Sequence, residues 1–223
     1  MYLSISENLN TIKNKIPEDV SLVAVSKTKP VEDLKKAYDA GQRIFGENKV
    51  QELREKQPQL PNDIEWHMIG HMQSNKVKFI APYISLIHGV ESLKLLKEIN
   101  RQALKNCRLI KVLLQFHIAS ESTKFGLQIQ EAKEILDSDE FQKLQNVQIS
   151  GVMGMASFVE NESQIRQEFS KLKSIFEELK SKYFTSAESF NTISMGMSGD
   201  YQIAIEEGSN MIRVGSSIFG ARN

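Results

Sequence analysis

The chain has 223 residues, 40% apolar and 25% charged, the ordinary balance of a soluble globular protein. Its 28 basic and 28 acidic side chains cancel, so no long-range field draws it toward nucleic acid or an anionic membrane. One cysteine, Cys107, excludes an internal disulfide and a cysteine-rich zinc scaffold, and no apolar run is long enough to span a bilayer.

The first residues, Met1 to Asn8, show neither a basic leader nor an apolar signal core, from which a cytoplasmic location is expected. Ser4 and Glu7 then have capping-box spacing ahead of Leu9, Ile12 and Ile16, which predicts a leading helix. A first strand, Leu22 to Ser26, is followed by Lys27 and by Pro30, which sets up a helix from Val31 to Ala40 with Gly41 as its stop. A very short second strand, Arg43 to Phe45, leads through Gly46, Glu47 and Asn48 into a helix ending near Pro58. The third strand is Glu65 to Met68, with a helix from about Ser74 to Ile80, and the fourth is Ser85 to Val90, feeding a helix from Leu93 to Lys105.

The longest apolar run, Leu109 to Ile118, is the fifth strand; a polar loop from Ala119 to Gly126 and a helix from Ile129 to Leu136 follow. Val147 to Met153 is the sixth, and the long helix after it carries Ile165, Phe169, Leu172, Ile175, Phe176 and Leu179 at helical spacing. A short seventh strand, Thr192 to Ser194, precedes a helix from Tyr201 to Glu207, and an eighth, Asn210 to Val214, precedes a final turn or short helix. With no Pro/Gly-rich linker to divide it, residues 1–223 read as a single domain.

Alternating strands and helices imply parallel pairing with right-handed crossovers. Eight strands favour closure into a single (β/α)8 barrel with an additional amino-terminal helix. The competing architecture, an open doubly wound sheet, would carry a glycine-rich dinucleotide turn after the first strand. Here that position reads Ser26-Lys27-Thr28-Lys29-Pro30.

In such a barrel ligands bind beyond the carboxyl ends of the strands, and phosphates commonly lie beyond strands seven and eight. Both loops there are suited to an anion: Met195-Gly196-Met197-Ser198-Gly199-Asp200, and Gly215-Ser216-Ser217. Their glycines admit the backbone to close approach, and their hydroxyls and helix amino termini donate. Arg213 shares a strand parity with Met211 and Gly215, and Lys27 shares one with Val23 and Val25. First and eighth strands are neighbours in a closed barrel, so an amine, a guanidinium and two anion loops converge on one sector. That combination points to pyridoxal 5′-phosphate, held as an imine on a lysine.

At these residues the sequence resembles a known family. Leu22 to Pro30, Phe45-Gly46-Glu47-Asn48, Trp66 to Gly70, Gln73-Ser74-Asn75-Lys76, Ser194 to Ser198 and Arg213 to Arg222 look like the pyridoxal phosphate homeostasis proteins. These are similar in fold to the barrel domain of alanine racemase. The resemblance implies that Lys27 forms the internal aldimine, that Ser198, Gly215 and Ser216 hold the phosphate, and that Arg213 faces the pyridine nitrogen. Guanidinium only donates, so the ring nitrogen would stay unprotonated and be a weak electron sink. The second base of the racemases is a tyrosine on an additional domain, for which this sequence offers no replacement; Tyr201 is expected to pack in its own helix.

The function expected is therefore a vitamin carrier, not an enzyme, buffering pyridoxal phosphate, passing it transiently to apoenzymes that depend on it, and working as a monomer. The alternatives are an amino-acid racemase or related enzyme, and a barrel binding another phosphorylated metabolite with Lys27 as counter-charge. Asn48 is a candidate to bond the polar edge of the ring, with capping as its other role. His67 and His71 lack the helical metal-binding pattern; His67 is expected near the cofactor mouth, His88 and His117 in structural positions. Met153, Met155, Met195 and Met197 are expected to pack the barrel top, Lys124 to stand on a loop at the same end, and Cys107 at the opposite end.

Overall fold

The computed structural model describes residues 4–120 and 125–220. Eight parallel strands close into a barrel in chain order: β1 (Ser21–Val25), β2 (Ile44–Glu47), β3 (Glu65–Met68), β4 (Ile84–Val90), β5 (Ile110–Phe116), β6 (Val147–Gly154), β7 (Thr192–Ser194) and β8 (Met211–Val214). Closure pairs β8 back onto β1, with Ser21, Leu22, Val23 and Ala24 opposite Met211, Ile212, Arg213 and Val214. Among the described residues the barrel strands leave no edge to template pairing with another chain.

The helices are α1 (Ile5–Lys13), α2 (Val31–Asp39), α3 (Val50–Lys56), α4 (Leu93–Lys105), α5 (Ile129–Asp137), α6 (Asp139–Gln142), α7 (Glu162–Tyr183), α8 (Tyr201–Glu206) and α9 (Ser216–Phe219). The capping box at α1 is formed: the Ser4 N–H donates to Glu7 at 2.7 Å, and the Glu7 N–H to Ser4 Oγ at 3.2 Å. Gly41 ends the α2 region at φ +85°, a conformation glycine adopts without steric cost. α1 packs on α2 and α9, and Asn8 donates to the Ile218 carbonyl at 3.1 Å.

Strand parity divides the apolar residues into two layers. Leu22, Ala24, Phe45, Trp66, Met68, Ile87, Val112, Leu114, Val152 and Ile193 face outward to the helices and form the main core. α7 supplies Ile165, Phe169, Leu172, Ile175 and Leu179 to that core from one face, with Phe176 partly buried beside them. Inside the barrel, Leu86, Leu113 and Met153 form a smaller cluster flanked by Met155 and Met211.

Several boundaries differ from the sequence expectation. β2 runs to Glu47 because Glu47 is itself buried, its charge met by a lysine. The segment Ser74–Phe79 is a 3-10 helix. The additional helix α6 follows the capping bond from Phe141 N–H to Ser138 Oγ at 3.2 Å. Leu109 lies outside β5 and is 52% exposed.

Candidate functional site

The loops after the strands surround a cavity of about 780 Å³ at the carboxyl end of the barrel, within the usual range for small-ligand pockets. Lys27, Asn48, Ser198, Arg213, Gly215 and Ser216 all line it. Each is brought there by the strand before it. Lys27 follows β1 on the inward parity of Val23 and Val25, and Val25 lines the same cavity. Asn48 follows β2, with Gly70 packed so close that a Cβ there would lie 2.5 Å from the Asn48 carbonyl oxygen.

The two anion-type loops are tied to each other. Gly215 N–H donates to Ser198 Oγ at 3.2 Å, and within the first loop Asp200 accepts from the Met197 N–H. Gly196 turns at φ +96°, where a Cβ would stand 2.7 Å from that of Ala204. A side chain at Gly215 would crowd the Val25 carbonyl oxygen at 3.0 Å, whereas Gly199 faces open space. The result is a backbone-lined recess beside serine hydroxyls.

Arg213 is 4% exposed. Its Nη1 donates to Ser194 Oγ at 2.6 Å and its Nη2 to the Gly154 carbonyl at 3.0 Å, neutral acceptors both. Burial lowers its pKa to about 10, with Asp200 opposing, so the group remains a cation at neutral pH. A buried guanidinium on the wall of a cavity, held by neutral groups, favours a ligand that brings negative charge or a lone pair.

Sequence reasoning missed what stands beneath Arg213. Ser194 Oγ lies 3.1 Å from His88 Nδ1, and His88 Nε2 lies 3.1 Å from His67 Nδ1, a polar chain down the lumen. Arg213 must donate to Ser194; the hydroxyl then donates to His88, and His88 to His67, which satisfies each atom in turn. Burial pulls His67 down to about 3, with Lys111 adding to the effect. Burial, then His67 and Arg213, hold His88 well below the ordinary histidine value. The signal was the shared inward parity of His67, His88, Ser194 and Arg213.

His67 therefore does not approach the cavity mouth. It lines a separate depression at the amino-terminal end of the barrel, because its strand points it inward one layer lower. His71 reaches the upper cavity instead, 3.1 Å from a Glu91 oxygen and stacked on Phe125. Gln115 lines the same wall. Met155 and Met197 line the cavity and Met153 packs the lumen below, but Met195 faces the outer core. Tyr201 begins α8, packs on the core and is absent from the cavity lining, as are His88 and His117. Cys107 is exposed at the turn between α4 and β5. Lys124 lies outside the described residues, as do Ala221 and Arg222. Among the described residues no group of three or more His, Cys, Asp or Glu is placed to hold a metal, and no helix is long and apolar enough to cross a membrane.

Comparison with known proteins agrees with this architecture. Residues 3–223 match the family model described as alanine racemase, N-terminal domain. A pyridoxal phosphate homeostasis protein of Vibrio alginolyticus is 37% identical over 237 residues, covering 99% of this chain and 98% of its own. The solved structure of PipY from Synechococcus elongatus with PLP bound superposes with a TM-score of 0.87 at 34% identity, over 97% of this chain and 100% of that one. An alanine racemase of Clostridium difficile shares the fold at a TM-score of 0.79 and 18% identity, over 98% of this chain and 60% of the racemase.

Proposed function

We propose, from the premise that the chain belongs to the family of pyridoxal phosphate homeostasis proteins, that it binds pyridoxal 5′-phosphate and buffers its free level. The supporting observation is the convergence on one cavity of the Lys27 amine, the buried Arg213 guanidinium and the loops joined through Ser198 and Gly215. The residues present suit the cofactor. Ser198, Gly215 and Ser216 would grip the phosphate, Arg213 would donate to the ring nitrogen, Asn48 would bond a polar edge of the ring, and Lys27 would hold the aldehyde carbon. The cofactor, when bound, supplies an aldehyde that condenses with an amine as one water leaves.

Holding is favoured over turnover in this reading. Arg213 has no proton acceptor, so it keeps the ring nitrogen a lone-pair acceptor and weakens the ring as an electron sink. Among the described residues Phe158, on the cavity lining, is 95% exposed, which supports the approach of an incoming amine of an apoenzyme to the carried group. We read the carrier as acting alone, as a monomer.

The test is spectroscopic. Adding the cofactor should give a visible absorption band, and borohydride should then fix the label on Lys27. Lys27→Ala should show neither; a band that persists in it would remove Lys27 from this role. Loaded protein should leave single-enantiomer amino acids unscrambled, and catalytic turnover there would favour the racemase reading.

A further inference from the structure

Behind the sheet, on the side away from the cavity, lies a buried charged cluster that the proposed binding does not use. Glu47 of β2 is fully buried, and Lys56, in the last turn of α3, is 7% exposed. Lys56 Nζ donates to Glu47 Oε1 at 2.8 Å, to Glu52 Oε2 at 3.2 Å and to the Ser26 carbonyl at 2.9 Å. Ser26 Oγ donates to the same Glu47 oxygen at 2.6 Å. Glu52 Oε2 accepts from the Thr28 N–H at 2.7 Å. The Lys56 ammonium thus holds the backbone immediately before Lys27 and the Glu52 carboxylate the backbone immediately after it, while Glu47 holds Lys56 and the Ser26 hydroxyl.

Two physical arguments give the cluster a purpose beyond stability. Burying Glu47 and Lys56, with Glu52 partly covered beside them, is costly, and apolar packing of similar volume often does as well or better. Thr28 also sits at φ +65°, a left-handed conformation unfavourable for a β-branched residue. Such a conformation persists only where its surroundings over-determine it. Here Glu52 holds the Thr28 N–H while Ser26 is held through its carbonyl, its hydroxyl, and its own N–H, which donates to the Gly46 carbonyl at 3.0 Å.

We propose that Lys56 and Glu52, with Glu47, are positioning residues that fix the backbone on both sides of Lys27 and so aim its amine into the cavity. This rests on the reading of Lys27 as the amine that holds the cofactor. The clamp touches neither the phosphate recess nor Arg213, so it governs the formation and orientation of the covalent bond, not the grip on phosphate and ring.

The experiment separates those two quantities in the full chain. Pyridoxine 5′-phosphate carries an alcohol in place of the aldehyde, so its affinity reads the phosphate and ring contacts alone. Adduct formation with pyridoxal 5′-phosphate, followed by stopped flow and by visible circular dichroism, reads the placement of Lys27. Glu52→Ala and Lys56→Met should bind the alcohol analogue as the wild type does, yet form the adduct about tenfold more slowly or worse and with weaker dichroism. Glu52→Gln, which retains an oxygen acceptor for Thr28, should recover most of the rate. If Lys56→Met does not fold, Glu52→Ala carries the test, because that side chain is 21% exposed. Wild-type rate and dichroism in the variants would overturn the proposal, as would an equal loss of analogue binding. Failure of the wild type itself to give a borohydride-trapped Lys27 would instead overturn the underlying reading of the site.

Discussion

Val23 and Arg213 are register partners across the β1–β8 seam. That pairing brings the start and the end of the chain into one cup, with Lys27 two inward positions beyond Val23 and Gly215 one beyond Arg213. Arg213 donates from Nη1 to Ser194 and from Nη2 to Gly154 and also lines the cavity, its five N–H groups leaving donors beyond those two bonds. Lysine offers a single ammonium and cannot span two acceptors in that geometry. Arg213→Lys should therefore weaken pyridoxal 5′-phosphate binding by about tenfold or more, the loss of one charge-assisted hydrogen bond. Titration of the visible band measures it; unchanged affinity would confine Arg213 to a structural role.

The histidine chain beneath Arg213 makes the fold sensitive to mild acid. Burial, chiefly, depresses the folded pKa of His67 to about 3 and that of His88 well below the usual value. The unfolded chain takes up protons near 6.5 that the folded chain refuses, so stability is complete above about pH 6.5 and falls as pH drops toward 3. By pH 5 His67 should have cost about 2 kcal/mol, with His88 adding a loss of the same sign. Denaturant midpoints measured at pH 7.5 and pH 5 should show this fall, and His67→Gln should flatten it by one histidine's share. An equal slope in the variant would mean that His67 titrates normally.

The barrel was legible from alternation and strand parity, because both are properties of consecutive residues. Parity aims Lys27 and Arg213 inward and closure sets β8 beside β1, while Ser198, Gly215 and Ser216 were read from the anion-type loops after strands seven and eight and from the family resemblance. The chain Ser194, His88, His67 was only half legible: parity turns each residue inward, but their meeting across β3, β4 and β7 depends on distances that local patterning does not encode. Glu47 misled the strand boundary for a related reason. A carboxylate reads as a loop residue until its partner Lys56 is known to be buried with it. His67 lies deeper in the barrel than expected, because its strand turns it inward one layer below the cavity, and His71, four residues on, reaches the cavity wall.

Gly70 and Gly199 both line the cavity but should respond oppositely to a methyl group. A Cβ at Gly70 would meet the Asn48 carbonyl oxygen at 2.5 Å and its Cα at 3.0 Å. Neither can retreat easily, since the adjoining Ile69 N–H is bonded to the Glu47 carbonyl at 2.9 Å. Gly70→Ala should cost about 2–4 kcal/mol and displace Asn48, weakening cofactor binding with it. At Gly199 nothing lies within 4 Å of the added atom, so Gly199→Ala should change stability by no more than about 0.5 kcal/mol. Thermal melts of the two alanine variants, side by side, decide the matter. Similar losses in both would mean that the Asn48 backbone yields.

Glu168 of α7 fastens the loops that follow β5 and β6. One oxygen accepts the Ser157 N–H at 2.6 Å; the other accepts Ser157 Oγ at 2.8 Å, Ser120 N–H at 2.9 Å and Ser120 Oγ at 3.0 Å. Burial pushes this carboxyl up, but the bonds from Ser157, Gln164 and Ser120 outweigh it and hold the pKa at about 2. A depressed carboxylate stabilises the fold above the unfolded value near 4.5, and its contribution is lost as pH falls from there through 2. The shift corresponds to about 3 kcal/mol at neutral pH. Glu168→Gln keeps one acceptor but forfeits the charge, so it should lose much of that amount at pH 7 and little at pH 2. Ser157 lines the cavity and Phe158 stands at its rim, so the variant should also release bound cofactor faster. Denaturation at the two pH values and the off-rate of the visible band test both halves. A loss of stability that is equal at pH 7 and pH 2 would show that Glu168 acts through packing, not through its charge.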